Sequence, residues 1–174
     1  MELEIGDLLN CNCNIIVQQL NCLCVKPHGL SAAISEKYPY ANIYKQRRQL
    51  FTKNLAIPED RGVPGHITWS DSNNPIIVGL YGQYDFGKAY PKSYRPKHDP
   101  VETRQLREEW FKQALDNLKF KIEKENMNHD KIVIAFPYQI GCGLAGGNWT
   151  NYEKMLQDFS LNINCKVKII KLAN

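Results

Sequence analysis

The residues best suited to chemistry form the run Gly141-Cys142-Gly143-Leu144-Ala145-Gly146-Gly147. Four of its seven positions are glycine, and glycine at that density lets successive backbone N–H groups turn inward and approach a ligand closely. The apolar stretch Ile132-Val133-Ile134-Ala135-Phe136 ahead of it reads as a buried strand, stopped by Pro137, which has no N–H to donate. After the run, Thr150-x-x-Glu153 reads as a capping box that opens a helix. Strand, glycine loop and helix N-terminus together make a place where an anion, most often a phosphate, is held by backbone donors and the helix dipole.

The same order occurs earlier in the chain. Ile15-Ile16-Val17 reads as a strand buried on both faces, and the residues after it as a loop closing on Pro27 and Gly29. Leu30, Ala33, Ile34 and Lys37-Tyr38 then have the three-and-four spacing of an amphipathic helix. This makes a second candidate anion site. His28 is the group in it that exchanges protons near neutral pH, although a lone loop histidine is usually a polar surface residue. Lys26 either neutralises a phosphate or faces water. Asp7 follows a short edge strand over Glu2 to Ile5; it either caps the next turn, the stronger reading, or accepts from an amino group such as that of adenine.

Other elements must position these loops. Ile76 to Gly82 reads as another buried strand, with Gln83-Tyr84-Asp85-Phe86-Gly87-Lys88 at its end, and His66 to Trp69 as a further strand. Residues 88–100 hold three prolines and read as a polar surface loop, either a lid or a plain connector. A long helix follows, with Pro100 in its first turn, Glu102 at the positive end of its dipole, and a core stripe of Leu106, Trp110, Ala114, Leu118 and Ile122. A helix from about Asn151 to Phe159 and a strand from Val167 to Ile170 complete the pattern. The chain of 174 residues reads as one α/β domain over 1–174.

Composition excludes several classes. No apolar run is long enough to span a bilayer, and the first residues lack the pattern of an export signal, so a cytoplasmic or nuclear protein with no membrane partner is expected. The net charge of +4 suits an anionic ligand but is too small and scattered to argue for nucleic acid. The densest basic cluster, Lys45-Gln46-Arg47-Arg48, reads as a solvated helix face. Six cysteines, at 11, 13, 22, 24, 142 and 165, read as reduced thiols, and the two C-x-C pairs lack the usual spacing of a structural zinc site. No metal or cofactor is called for.

Taken in order, Gly6-Asp7-Leu8, Asn21 with a loop ending Gly29-Leu30, and Ile140-Gly141-Cys142-Gly143-Leu144 followed by Ala145-Gly146-Gly147-Asn148-Trp149 resemble the signature of a macro domain, the ADP-ribose-binding module. The resemblance spans nearly the whole chain, and its last motif is similar to that of free-standing ADP-ribose 1″-phosphate processing proteins. It implies a three-layer fold, a mixed sheet flanked by helices, with ADP-ribose or a derivative as small-molecule ligand. Asp7 and Leu8 would then meet adenine, Asn21 the distal ribose, and Gly29 and Leu30 the diphosphate. Gly141, Cys142, Gly143, Leu144, Ala145 and Gly146 would wrap its other side. Leu144 and Tyr84 would wall the pocket, though core packing is an equal reading for Tyr84.

The departures from the pattern bear on catalysis. Lys26-Pro27-His28 stands where macro domains commonly carry a glycine triplet, Ser31 where one hydrolase subclass has an aspartate, and Ala145 where another has its second acidic residue. The ligand loops hold no pair of adjacent glutamates of the poly(ADP-ribose) glycohydrolase type. The resemblance therefore points to a phosphatase acting on ADP-ribose 1″-phosphate, with His28 as acid, base or nucleophile, Lys26 balancing phosphate charge and Gln83 orienting water. A non-catalytic reader or scavenger of ADP-ribose, and a hydrolase of ADP-ribosylated protein or nucleic acid, are the alternatives.

Overall fold

The structure is a computed structural model and describes residues 1–71, 73–89, 95–125, 127 and 129–173. Six strands form one sheet: β1 (Glu2–Ile5), β2 (Ile15–Asn21), β3 (Ile67–Trp69), β4 (Ile76–Gln83), β5 (Val133–Pro137) and β6 (Lys166–Lys171). Their spatial order is β1-β6-β5-β2-β4-β3. All neighbours pair parallel except β3, which runs antiparallel to β4. Helices α1 (Leu30–Lys37), α2 (Arg104–Lys124) and α3 (Trp149–Leu161) cover the sheet.

Alternation along β2 sorts the layers. Ile15 and Val17 enter a large core with Phe111, Leu118, Tyr152 and Leu156 of α2 and α3. Ile16 points the other way, to a smaller core with Leu8 and Ile34 of α1. A strand with a packed layer on each face must be apolar on both, which explains the continuous apolar runs of β2, β4 and β5. The result is the expected three-layer α/β arrangement with a mixed sheet. Among the described residues no helix is long and apolar enough to cross a membrane.

Several sequence expectations are corrected. α2 begins only at Arg104, because the Thr103 side chain accepts from the Leu106 N–H at 3.0 Å and caps it; Pro100 and Glu102 lie before the helix. α3 begins at Trp149, with Asn148 as cap accepting from Thr150 N–H at 3.1 Å, so the cap lies two residues ahead of the predicted capping box. Cys11 and Cys13 are joined in a disulfide, their Cα atoms 5.4 Å apart, while Cys22, Cys24, Cys142 and Cys165 are free thiols. Of the 88–100 segment, residues 90–94 lie outside the described residues, whereas Arg95 is buried and His98 packs edge-on between Tyr84 and Trp110.

Parallel pairing has one decisive effect on the site. β2, β4 and β5 are neighbours that all end at the same edge of the sheet, so the segments after Asn21, Gln83 and Pro137 share that edge. Ligands of α/β sheets bind there, outside the carboxyl ends of the strands.

Candidate functional site

The first loop, from Asn21 to Gly29, is held by two asparagine side chains, one of its own and one from a distant segment. Asn21 Oδ1 accepts from the N–H groups of Leu23 (3.2 Å) and Cys24 (2.8 Å), while Asn54 Oδ1 accepts from Val25 (2.9 Å) and Lys26 (3.0 Å). Gly29 then turns the chain into α1 with φ of 56°, in the left-handed region that a side chain would oppose. The N–H groups of His28, Gly29, Leu30 and Ser31 donate to no described residue. These are the orphan donors at a helix start. His28 and Lys26 are exposed beside them, and Ser31 is buried.

The glycine loop is the second source of donors. Its N–H groups at Cys142, Gly146 and Gly147 are spent internally, on Gln139, Gly143 and Gly141 carbonyls at 2.9, 3.0 and 3.1 Å. Those of Gly143, Leu144 and Ala145 have no acceptor among the described residues. Leu144 stands 77% exposed at the tip of the loop. Gly141 has φ of 73°, and a Cβ there would lie 2.6 Å from Tyr152 Cε1 and 2.7 Å from Gln19 Oε1. Glycine is therefore demanded by packing against α3 and β2 as much as by backbone angle. The Cys142 thiol donates to the Ile140 carbonyl at 3.3 Å, and burial, aided by the Glu108 charge, pushes its pKa up to about 11, so it stays a thiol at neutral pH.

Asp7 caps the 3₁₀ turn Leu8–Asn10: its carboxylate accepts from Leu9 N–H at 2.9 Å and from Asn10 Nδ2 at 2.6 Å. Leu8 beneath it is buried. Gln83 is buried at the end of β4, accepting from Gln19 Nε2 at 2.6 Å and donating to the Asp85 carbonyl at 3.0 Å. Gln19 Oε1 is a buried acceptor with no partner among the described residues, wedged where Gly82 and Gly141 leave room for it. Tyr84 is half-buried, with its ring 4.9 Å from that of His98.

Three buried arginines hold this edge together, and the sequence reading missed all of them. Arg47 donates to the carbonyls of Cys24 (2.6 Å) and Asn21 (2.9 Å), with its guanidinium over the rings of Tyr44 and Tyr81. It is not the solvated residue expected of the Lys45–Arg48 cluster. Arg95 pairs with buried Asp85 at 2.8 Å and reaches the Asn54 carbonyl. Arg107, on α2, pairs with Glu102 at 2.7 Å and donates to the carbonyls of Gly87 (2.6 Å), Ala145 (3.1 Å) and Asp85 (3.1 Å). Glu102 in turn accepts from the Tyr84 N–H at 2.8 Å. The available signal was one of pattern: Arg107 follows Leu106 next to the core stripe, and a planar five-donor fork suits a site where several loop carbonyls converge.

Among the described residues no group of three or more His, Cys, Asp and Glu side chains could hold a metal ion. The chemistry on offer is backbone capture of an anion at two neighbouring strand ends, with exposed cationic and imidazole groups beside it.

No protein-family model and no curated sequence matches the chain. Solved structures do. The macrodomain of Mycobacterium tuberculosis DarG is similar over 97% of this chain and 95% of its own, with TM-score 0.67 and 16% identity. The macrodomain of Thermus aquaticus DarG covers 99% and 97%, with TM-score 0.61 and 15% identity. A point mutant of the Oceanobacillus iheyensis macrodomain, solved with ADPR, covers 98% of this chain and 83% of its own, with TM-score 0.60 and 14% identity. Likeness at such identity is likeness of architecture, and it spans nearly the whole chain: the chain has the macrodomain fold.

Proposed function

We propose that this protein binds ADP-ribose or a derivative at the shared edge of β2, β4 and β5, and hydrolyses ADP-ribose 1″-phosphate to ADP-ribose and phosphate. The observation that carries the binding reading is the pair of N–H sets without acceptors among the described residues, at His28–Ser31 and Gly143–Ala145, in the segments that follow the neighbouring strands β2 and β5. Two such sets facing one edge suit a diphosphate, whose two phosphoryl groups need donors from both sides. The Oceanobacillus macrodomain solved with ADPR supports the choice of ligand. Asp7 and Leu8 take the adenine side, Asn21 the distal ribose through its amide N–H₂, since its Oδ1 is already used, and Leu144 and Tyr84 wall the cleft.

His28 carries the hydrolytic step in this reading. It is exposed beside the free α1 donors. Either it attacks the phosphorus, expelling the ribose 1″ oxygen and leaving a phosphohistidine that water hydrolyses to phosphate, or it donates the proton that lets that oxygen leave as water attacks the phosphorus. Lys26 offsets phosphate charge, and Gln83, held by Gln19 and Asp85, gives the water-binding side a fixed shape.

One observation favours a second reading, a reader or scavenger without chemistry. The only carboxylate in residues 22–29, 84–88 and 141–148 is Asp85, and it is tied to Arg95. No free carboxylate is left there to activate water. Calorimetric titration with ADP-ribose, followed by phosphate release from ADP-ribose 1″-phosphate on the same sample, separates the two. His28→Ala abolishes turnover and leaves ADP-ribose affinity within about twofold if the phosphatase reading holds. Binding without phosphate release establishes the reader, and full turnover by His28→Ala removes the role given to His28.

A further inference from the structure

The loop after β4 carries a cation that the site as described leaves unused. Lys88 is exposed, yet its stem is seated on the glycine loop: Lys88 Cγ, Cδ and Cβ lie 3.2, 3.8 and 3.9 Å from where a Cβ on Gly146 would stand. Gly146 closes a tight turn with Gly143, its N–H 3.0 Å from the Gly143 carbonyl. The free donors of Gly143, Leu144 and Ala145 belong to that same turn, so the Lys88 stem rests against the residue that closes it. Some surface lysines meet carboxylates, as Lys121 pairs with Glu125 and Lys168 with Glu4. Lys88 has no ion-pair or hydrogen-bond partner among the described residues.

This placement is fixed by buried structure. The Arg107 guanidinium donates through the same Nη1 to the Gly87 and Ala145 carbonyls, which flank Lys88 on one loop and Gly146 on the other. That bond, inside a guanidinium only 3% exposed, locks the two loops into one unit. Gly146, with φ of 72°, leaves the space that the lysine stem fills.

We propose that Lys88 is a ligand-contacting residue: its ammonium pairs with the phosphate that the Gly143–Ala145 donors hold, so that the glycine loop binds with a cation as well as with dipoles. The inference rests on the anion-binding reading of this edge and adds a charge to it. A compact, flexible ammonium suits an anion whose position changes between ligands, whereas the backbone donors fix one geometry. Because the group is open to water, its contribution is screened by salt.

The test is titration of wild type, Lys88→Gln and Lys88→Arg with ADP-ribose and with adenosine, at low and at high salt. The expected result is ADP-ribose affinity roughly three- to tenfold weaker in Lys88→Gln, with a flatter salt dependence. Lys88→Arg then retains most of the affinity, and adenosine, which lacks phosphate, binds all three alike. Lys88→Gln with wild-type affinity and salt dependence overturns the proposal while leaving the ADP-ribose reading intact. Wild type that fails to bind ADP-ribose at all overturns both. Since Lys88 is exposed and bonded to nothing that holds the fold, circular dichroism and urea midpoints of the variants should match wild type.

Discussion

Arg107→Met is the substitution that best tests how the shared edge of β2, β4 and β5 is built. It removes a guanidinium 3% exposed and leaves Glu102, 8% exposed, without its counter-ion. Breaking a buried pair from one side costs about 3–5 kcal/mol, because the remaining charge is stranded. Two facts set the value within that range. Glu102 keeps the Tyr84 and Asp85 N–H donors, which lowers the cost. The carbonyls of Gly87, Ala145 and Asp85 each lose a charged donor, at about 1 kcal/mol apiece where water cannot replace it. The two corrections nearly cancel, and the expected loss is about 4 kcal/mol, a large share of the 5–15 kcal/mol of a typical domain. Urea unfolding followed by tryptophan fluorescence measures it as a fall in midpoint at unchanged slope. Glu102→Gln in the same background should recover part of the loss, giving a coupling energy of about 2 kcal/mol or more. A loss below about 1 kcal/mol in Arg107→Met, or strictly additive single and double variants, would refute the claim that this pair is the staple of the edge.

Two further outcomes follow from the geometry. Gly141→Ala forces a Cβ to 2.6 Å from Tyr152 at φ of 73°, so it should destabilise by about 1–3 kcal/mol and weaken ADP-ribose binding; wild-type thermal stability and affinity in that variant would show the loop to be more pliant than argued. Asp60 accepts from the Arg48 side chain and N–H, which lower its pKa from the ordinary 3.8 to about 2. A depressed carboxyl stabilises the fold above its unfolded pKa and loses that contribution as pH falls through the folded one. The stability gap between wild type and Asp60→Asn should thus be flat near neutral pH and close between about pH 4 and 2. A carboxyl NMR titration placing Asp60 near 4 would contradict this.

How much of this could be read from the chain depended on the range of the interaction. Strands β2, β4 and β5 were legible because burial on both faces leaves continuous apolar runs. The glycine loop was legible because its requirement is backbone geometry, written in residue type. The edge strand β1, α1 and the stripe of α2 from Trp110 on followed for similar local reasons. At the start of that stripe Leu106 is only half-buried, and Arg107 is buried beside it. The starts of α2 and α3 were misplaced because more than one polar residue could cap, and side-chain rotation decided for Thr103 and Asn148. What could not be read was the set of partners of charged residues. Arg47 in a basic cluster, and Arg107 beside Glu108 and Glu109, look like surface residues in sequence. Only the fold brings Asn21, Cys24, Gly87 and Ala145 carbonyls to them from other segments. Gln83 lies buried against Gln19, a contact across 64 positions that no spacing rule reveals.

The pairing of β1 with β6 has a mechanical consequence. The strands run parallel, Glu2 beside Lys168 and Ile5 beside Lys171, so the chain enters this pair at one end and leaves it at the other. Tension applied between residue 2 and residue 171 slides one strand along its neighbour, and every hydrogen bond of the ladder shares the load together. The ion pairs Glu2–Lys166 and Glu4–Lys168, at 3.0 and 2.6 Å, cross the same seam and resist the same motion. Pulled along this axis the sheet is loaded in shear and yields at high force; pulled sideways through β3, its antiparallel edge unzips one bond at a time.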